Sequence, residues 1–320
     1  MAKSYRKGGL YAFKVNRPLS ADEISDHLPQ KEPSRSAPWF QLTVIRMNST
    51  FLECVDMIYA WRGAVTAVVT PGFYIAFGIM IMGPSIIIND YPTLNPEKQT
   101  EALIAGIYLF LIGLALTAFL IWALRFECFK YTHYPTRFNR KTRMVHYFRP
   151  NGTVLSVPWD KVYFTLMYHG LDYWEVVGHV LSDDGKTVLD TFPLSTRDIR
   201  DDGDPNTTLY QHWEFVRRYM EEGPQELYEQ VAVVLPIHER KESYIIGWKR
   251  LFANFGTNPL VVALVFPVIF CVTLGRWLAM RTCKLPRWPQ EVEAQSKIEP
   301  DDPYIRDERH LPGIQRVEWD

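Results

Sequence analysis

Two long runs without a charged residue decide what this chain can be. Ala64 to Ile88 is 25 residues and Ala102 to Leu124 is 23. At about 1.5 Å rise per residue, each run as a helix matches or exceeds the roughly 30 Å hydrocarbon core of a bilayer. Only 13 residues, 89–101, separate them, so the two runs predict an antiparallel transmembrane hairpin. Ala105, Gly106, Gly113, Ala115 and Ala118 would let a neighbouring helix come close. A mean hydropathy of −0.13 suits a soluble protein, but it averages these runs with polar stretches.

Charge around the runs predicts orientation. The connecting loop holds Lys98 against Asp90, Glu97 and Glu101. Residues 125–149 hold seven basic residues (Arg125, Lys130, Arg137, Arg140, Lys141, Arg143 and Arg149) against Glu127 alone. Basic flanks stay on the cytoplasmic side, which puts the N-terminus and the segment after Arg125 in the cytoplasm. With no apolar stretch near its start, the chain is expected to lack a signal peptide. A multi-pass membrane protein with its main soluble block in the cytoplasm is the expectation.

Residues 1–62 read as a cytoplasmic arm, flexible and proline-punctuated over Pro18–Pro38. The second half of 38–62 reads as an amphipathic lead-in helix on the membrane face. The hairpin occupies 63–125. Residues 126–240 form a soluble block long enough for one small domain that folds alone. Its first part alternates like a meander: Met144–Phe148 and Thr153–Val157 flank Pro150-Asn151-Gly152, and Tyr173–Leu181 and Thr187–Phe192 flank a turn at Gly185. Leu209, Trp213, Val216 and Met220 recur at helical spacing until Gly223-Pro224, and a second helix is expected over Gln225–Leu235. Strands closed by an amphipathic helix outline a pleckstrin-homology-like domain, an outline shared by many small α+β folds. A third apolar run, Pro259–Gly275, lies within 241–287. At 17 residues with Pro267 in its middle, it leaves spanning, re-entrant and buried forms open. The tail, 288–320, is acidic and proline-containing, on a side the sequence does not fix. The predicted class is an α+β membrane protein.

Chemistry-bearing patterns are sparse. Cys54, Cys128, Cys271 and Cys283 have no metal spacing and read as free, buried thiols. Asp202, Asp204 and Asn206 resemble the start of a calcium loop, but Thr207 and Trp213 stand where it needs Gly and Glu, so a solvated turn is expected. The eight histidines form no metal motif, and no nucleophile, phosphate-loop or dinucleotide pattern occurs. No catalytic residue, metal or cofactor is predicted. The net charge of −1 gives no reason to expect nucleic acid. Arg137, Arg140, Lys141 and Arg143 are candidate contacts to lipid headgroups, or else only the topology signal again. Tyr168, Tyr173, Trp174 and Tyr304 are candidate protein-interface anchors, with core or tail packing as the plainer account.

Several segments in combination carry a resemblance. They are Arg137-Phe138-Asn139-Arg140-Lys141-Thr142, Val157-Pro158-Trp159-Asp160, the run from Lys284 to Glu293, and Asp301-Asp302-Pro303-Tyr304. With the membrane helices, over residues 40–305, the chain resembles a proteobacterial family of membrane proteins of unknown function found near type VI secretion genes. The resemblance implies a bacterial inner-membrane location and a neighbourhood of effectors and their protective partners, and no catalytic residues. The expected function is therefore a non-enzymatic interaction protein, an immunity or accessory partner of a secreted effector. A membrane-tethered lipid- or envelope-sensing module is the alternative. The bilayer and an effector or secretion component are the expected partners, with no small-molecule substrate.

Overall fold

The structure is a computed structural model that describes residues 4–8, 11–34, 36–168, 173–199, 207–252 and 259–309. In chain order it has β1 (Ser4–Gly8), β2 (Tyr11–Val15), β3 (Arg17–Pro18), α1 (Ala21–Ser25), β4 (Val44–Met47) and β5 (Phe51–Cys54). The helices α2 (Ile58–Trp61), α3 (Ala64–Ser85) and α4 (Pro96–Leu124) follow. Next come β6 (Thr136–Asn139), β7 (Met144–Phe148), β8 (Val154–Pro158), β9 (Val162–Tyr168), β10 (Tyr173–Leu181) and β11 (Thr187–Ile199). The chain continues through α5 (Thr208–Glu221), α6 (Tyr244–Phe252), α7 (Pro259–Thr282) and α8 (Gln290–Gln295). It is a mixed α+β protein, and it divides into two compact units, each drawn from separated stretches.

The first unit comprises residues 1–60, 131–241 and 285–320. Its main sheets are antiparallel, ordered β4-β5-β6-β7-β8 and β3-β11-β10-β9. Gly152, at φ +86°, closes the β7–β8 turn that Pro150-Asn151-Gly152 predicts. The core joins one face of each sheet to α5: Leu52, Phe138, Val145 and Val157 from the first, Phe164, Val176 and Phe192 from the second, and Trp213, Val216 and Met220 from the helix. Trp213 lies 4.7 Å from the Phe164 ring and 5.9 Å from Trp159.

Several expectations need correction here. The hairpin is not N-terminal, because an ordered run of strands precedes it. The arm over Pro18–Pro38 is docked: Ser20 and Glu23 form a capping box on α1, Leu28 donates its N–H to Phe164, and the Gln30 amide donates to the Trp159 and Val162 carbonyls. In the second half of 38–62, where a lead-in helix is expected, only the four-residue α2 is helical; residues 51–54 are the strand β5, which forms a β-hairpin with β4 and pairs with β6 across the whole membrane hairpin in sequence. The block 126–240 therefore lacks two strands of its own sheet. Past Gly223-Pro224 the expected second helix is only a 3-10 turn at Tyr228–Gln230. Beyond it, Val231, Val234 and Leu235 are buried in non-helical chain, where the Leu235 N–H reaches the Val44 carbonyl at 2.8 Å.

The second unit comprises residues 61–130 and 242–284. Among the described residues, three helices are long and apolar enough to cross a membrane, within Ile58–Thr93, Pro96–Leu124 and Ala263–Thr282. α3 and α4 form the expected hairpin. Buried positions recur at intervals of seven, at Val69, Ala76 and Gly83 on α3 and at Gly106 and Gly113 on α4, the period of a left-handed helix pair. A Cβ at Gly83 would stand 2.2 Å from the Gly106 carbonyl oxygen. Ala105, Ala115 and Ala118 face outward instead. Cys54, Cys128 and Cys283 are buried free thiols, as expected, whereas Cys271 is exposed on α7.

Candidate interaction surface

Three of the four candidate interface aromatics meet at one end of the second sheet. Tyr168 ends β9 and lies directly opposite Trp174 near the start of β10. Opposed residues share a face, and the two rings sit 5.3 Å apart. Tyr173 projects to the other face, where the Arg197 guanidinium of β11 lies 6.0 Å from its ring. Tyr168 is 53% exposed and Tyr173 41%, while Trp174 is half-buried against the core. Trp174 thus backs Tyr168 on one face and Arg197 lies beside Tyr173 on the other, leaving at one sheet end two exposed aromatic rings of the kind that dominates protein interfaces. Tyr304 does not join them; it packs edge-on against Tyr228 at 5.7 Å. Residues 169–172, which link the two strands, lie outside the described residues.

The basic cluster is not a bare cationic patch. Arg137 is fully buried and bonded to Glu53 and Glu293, which corrects its expected place at a membrane surface. Arg143 bridges Asp160 and Glu221 at 2.5 and 2.8 Å, and hydrogen bonds from Arg143 and Lys31 hold the Asp160 carboxyl below the usual range. Lys141 is exposed and paired with Glu299. Arg140 is half-buried, its guanidinium 3.2 Å from where a Gly223 Cβ would stand. Net positive charge near a membrane span says nothing of which side chains turn inward.

Arg137 belongs to a polar row that sequence reasoning missed. Arg46, Glu53, Arg137, His146 and Ser156 are successive partners across β4 to β8, so all five project from one face of the sheet. Glu53 accepts from Arg46 at 3.0 Å and from the Trp288 indole at 3.3 Å. Burial alone would raise the Glu53 carboxyl, but Arg137 and Arg46 outweigh it and hold the group far below the ordinary range. His146 shares a 2.8 Å hydrogen bond with Ser156; burial, aided by Arg137, pushes its imidazole down to about 4. The C-terminal stretch covers the row. Trp288 stacks over Arg137 at 4.8 Å, the Asn139 amide donates to the Gln295 carbonyl, and Asp302 accepts from the Ser49 N–H at 2.7 Å. Opposite charges one register step apart, Arg46, Glu53 and Arg137, are the sequence signal that could have found it.

Nothing in these arrangements assembles a nucleophile with a base. Cys54 is buried and its thiol is pushed up to about 12. Among the described residues no group of three or more His, Cys, Asp and Glu could hold a metal ion. Asp202, Asp204 and Asn206 lie outside the described residues.

Residues 113–300 match the profile of a family of unknown function (DUF6708). The chain belongs to this family. The DUF6708 match runs from the middle of α4 to just beyond α8, taking in Arg137, the aromatic edge and Trp288, while β4, β5 and α3 precede it. No curated protein and no solved structure matches the chain.

Proposed function

We propose that this DUF6708 protein is a non-enzymatic, membrane-anchored interaction protein that binds a protein partner through the edge formed by Tyr168, Tyr173 and Trp174. The observation that carries this is the exposure of Tyr168, backed by the half-buried Trp174, and of Tyr173 on the opposite face, at a strand end rather than in the core. We read the unit that bears them as pleckstrin-homology-like; the runs β5 to β8 and β9 to β11 followed by α5 support that reading, with β4 and β3 adding one strand to each sheet. The basic flank after α4 and the acidic loop before it support a bacterial inner membrane location with this unit in the cytoplasm. The role as immunity or accessory partner of a type VI secretion effector rests on the family resemblance of the segments from Arg137 to Tyr304.

The test is affinity purification of the full chain from membranes, comparing wild type with Tyr168→Ala/Tyr173→Ala. Interface tyrosines of this kind are worth about 2 kcal/mol or more each, so co-purification of a specific protein should fall at least tenfold with thermal stability unchanged. Equal recovery of the same proteins by both forms sinks the proposal. Strong binding to anionic vesicles that the double variant loses, with no protein captured, favours the lipid-sensing alternative instead.

A further inference from the structure

We infer that residues 242–284 enter and leave the bilayer on the same side, so that α7 is not a lone crossing and the C-terminal stretch lies beside the main soluble unit. The inference rests on the chain spanning a membrane, and on neither the cytoplasmic assignment nor the protein partner.

Two independent observations lead to it. The first lies within the soluble unit. β5 pairs with β6, Trp288 and Glu293 bond to Glu53 and Arg137, and Arg306 bridges to Met47 by two backbone hydrogen bonds of 2.7 and 2.9 Å. Residues 44–54, 136–158 and 288–306 are therefore parts of one folded body, and a folded body cannot be divided by a bilayer. The chain leaves this body at residue 241 and rejoins it at 285. It must cross an even number of times between them, and α7 alone would make one crossing.

The second observation lies within the helical unit. α6 runs antiparallel to α7: Glu242, just before α6, bonds to Arg276 near the end of α7, while Trp248 further along packs against Phe266 at 5.2 Å and Phe270 at 6.4 Å. Arg276 Nε and Nη2 bond to the two Glu242 oxygens at 2.5 and 2.7 Å, and Nη1 donates to the Arg62 carbonyl at 3.0 Å. This ion pair is fully enclosed, and it ties the entry of α6, the exit of α7 and the start of α3 together. Space is made for it by glycine. A Cβ at Gly63 would stand 2.2 Å from the Arg276 Cα, and one at Gly247 2.6 Å from Glu242 Oε1. At the same end the Lys284 N–H donates to the Lys130 carbonyl just past α4. All four junctions with the soluble unit thus gather at one end of the helices. From Pro259 to Arg276 α7 reaches about 26 Å away from that end, and α6 covers part of the way back. Backbone at membrane depth needs such cover, because no water is there to satisfy it.

The experiment is labelling of intact cells and of opened membranes with an impermeant thiol reagent. It uses full-length chains carrying Thr153→Cys, Asp301→Cys or Lys98→Cys, all exposed positions, against the parent's own cysteines as background. Thr153→Cys and Asp301→Cys should label from one side and Lys98→Cys from the other. Labelling of Asp301→Cys and Thr153→Cys from opposite sides overturns the inference. A second measurement is oxidative cross-linking of Trp248→Cys/Phe266→Cys in a Cys271→Ser background. An intramolecular disulfide is expected, and its absence alongside normal membrane insertion overturns the antiparallel pairing. Loss of partner binding in the tyrosine variants would leave both readouts unmoved, so the two ideas fail separately.

Discussion

Arg137 donates from Nε and Nη2 to a single oxygen of Glu53 on the neighbouring strand, at 3.0 and 2.8 Å, with neither side chain open to solvent. Rings lie against the guanidinium, Phe51 at 4.6 Å and Trp288 at 4.8 Å. Removing two charges from water costs several kcal/mol per ion, and a pair like this is tolerated only with good geometry and further partners. Here Arg46, Glu293 and the Trp288 indole supply them. The pair also joins stretches far apart in the chain, since it fixes β5 to β6 and gives the C-terminal stretch a charged seat.

Breaking it from one side should be severe. Arg137→Met leaves Glu53 buried with Arg46 as its remaining close cation, and the expected loss is about 3–5 kcal/mol in denaturant unfolding. Glu53→Leu/Arg137→Met removes both charges and should recover most of that loss. If the double variant is as unstable as the single one, the pair is not the source of the effect.

Acid should destabilise the first unit in two stages. Burial pushes His146 to about 4 and His212 to about 3, below the ordinary 6.5, so the folded protein keeps both imidazoles neutral. The unfolded chain takes up those protons near pH 6.5, so stability is greatest above that pH and falls as pH drops towards the folded values. Below about 4.5 the depressed Glu53 adds a second loss, as the unfolded carboxyl protonates first. His212 is fully buried, and neither ring nitrogen has a hydrogen-bond partner among the described residues. His212→Leu should therefore stabilise by about 1–3 kcal/mol and flatten the pH profile between 6.5 and 3. A destabilised variant with an unchanged pH profile would show that the ring is satisfied in solution.

Trp213 was legible from its helical spacing with Leu209, Val216 and Met220, and it is enclosed between Trp159 and Phe164. Trp213→Ala should cost about 3–5 kcal/mol by calorimetry or urea unfolding, and a loss below 1 kcal/mol would contradict its place in the core. The strands from β7 onward were legible for a similar reason: their turns carry Gly152 and Gly185, both at positive φ, whereas β6 was not read. β4 and β5 were not. Each is four residues, and Phe51 to Cys54 is buried at every position, because the core covers one face and the C-terminal stretch the other. A strand covered on both faces loses the alternation by which strands are read. Pairing with β6 across the membrane hairpin leaves no local trace either. The aromatic edge was found as residues but not as a site, since only the register of β9 against β10 sets Tyr168 beside Trp174.

The membrane hairpin offers a comparison in which one chemical change should have opposite signs at two positions. Alanine is favoured over glycine inside a helix by about 1 kcal/mol, so Gly→Ala is stabilising wherever a methyl group has room. Gly78 on α3 has nothing within 4 Å of its Cβ position, and Gly78→Ala should be neutral or slightly stabilising. Gly113 on α4 faces α3, where the added carbon would stand 2.3 Å from the Met80 backbone nitrogen. Backbone cannot turn aside as a side chain can, so the helices must separate along a seam held largely by close packing. Gly113→Ala should cost about 1–3 kcal/mol despite its better helix propensity. Thermal unfolding of the full chain in detergent measures both. Equal effects from the two substitutions would mean that α3 and α4 do not meet at Gly113.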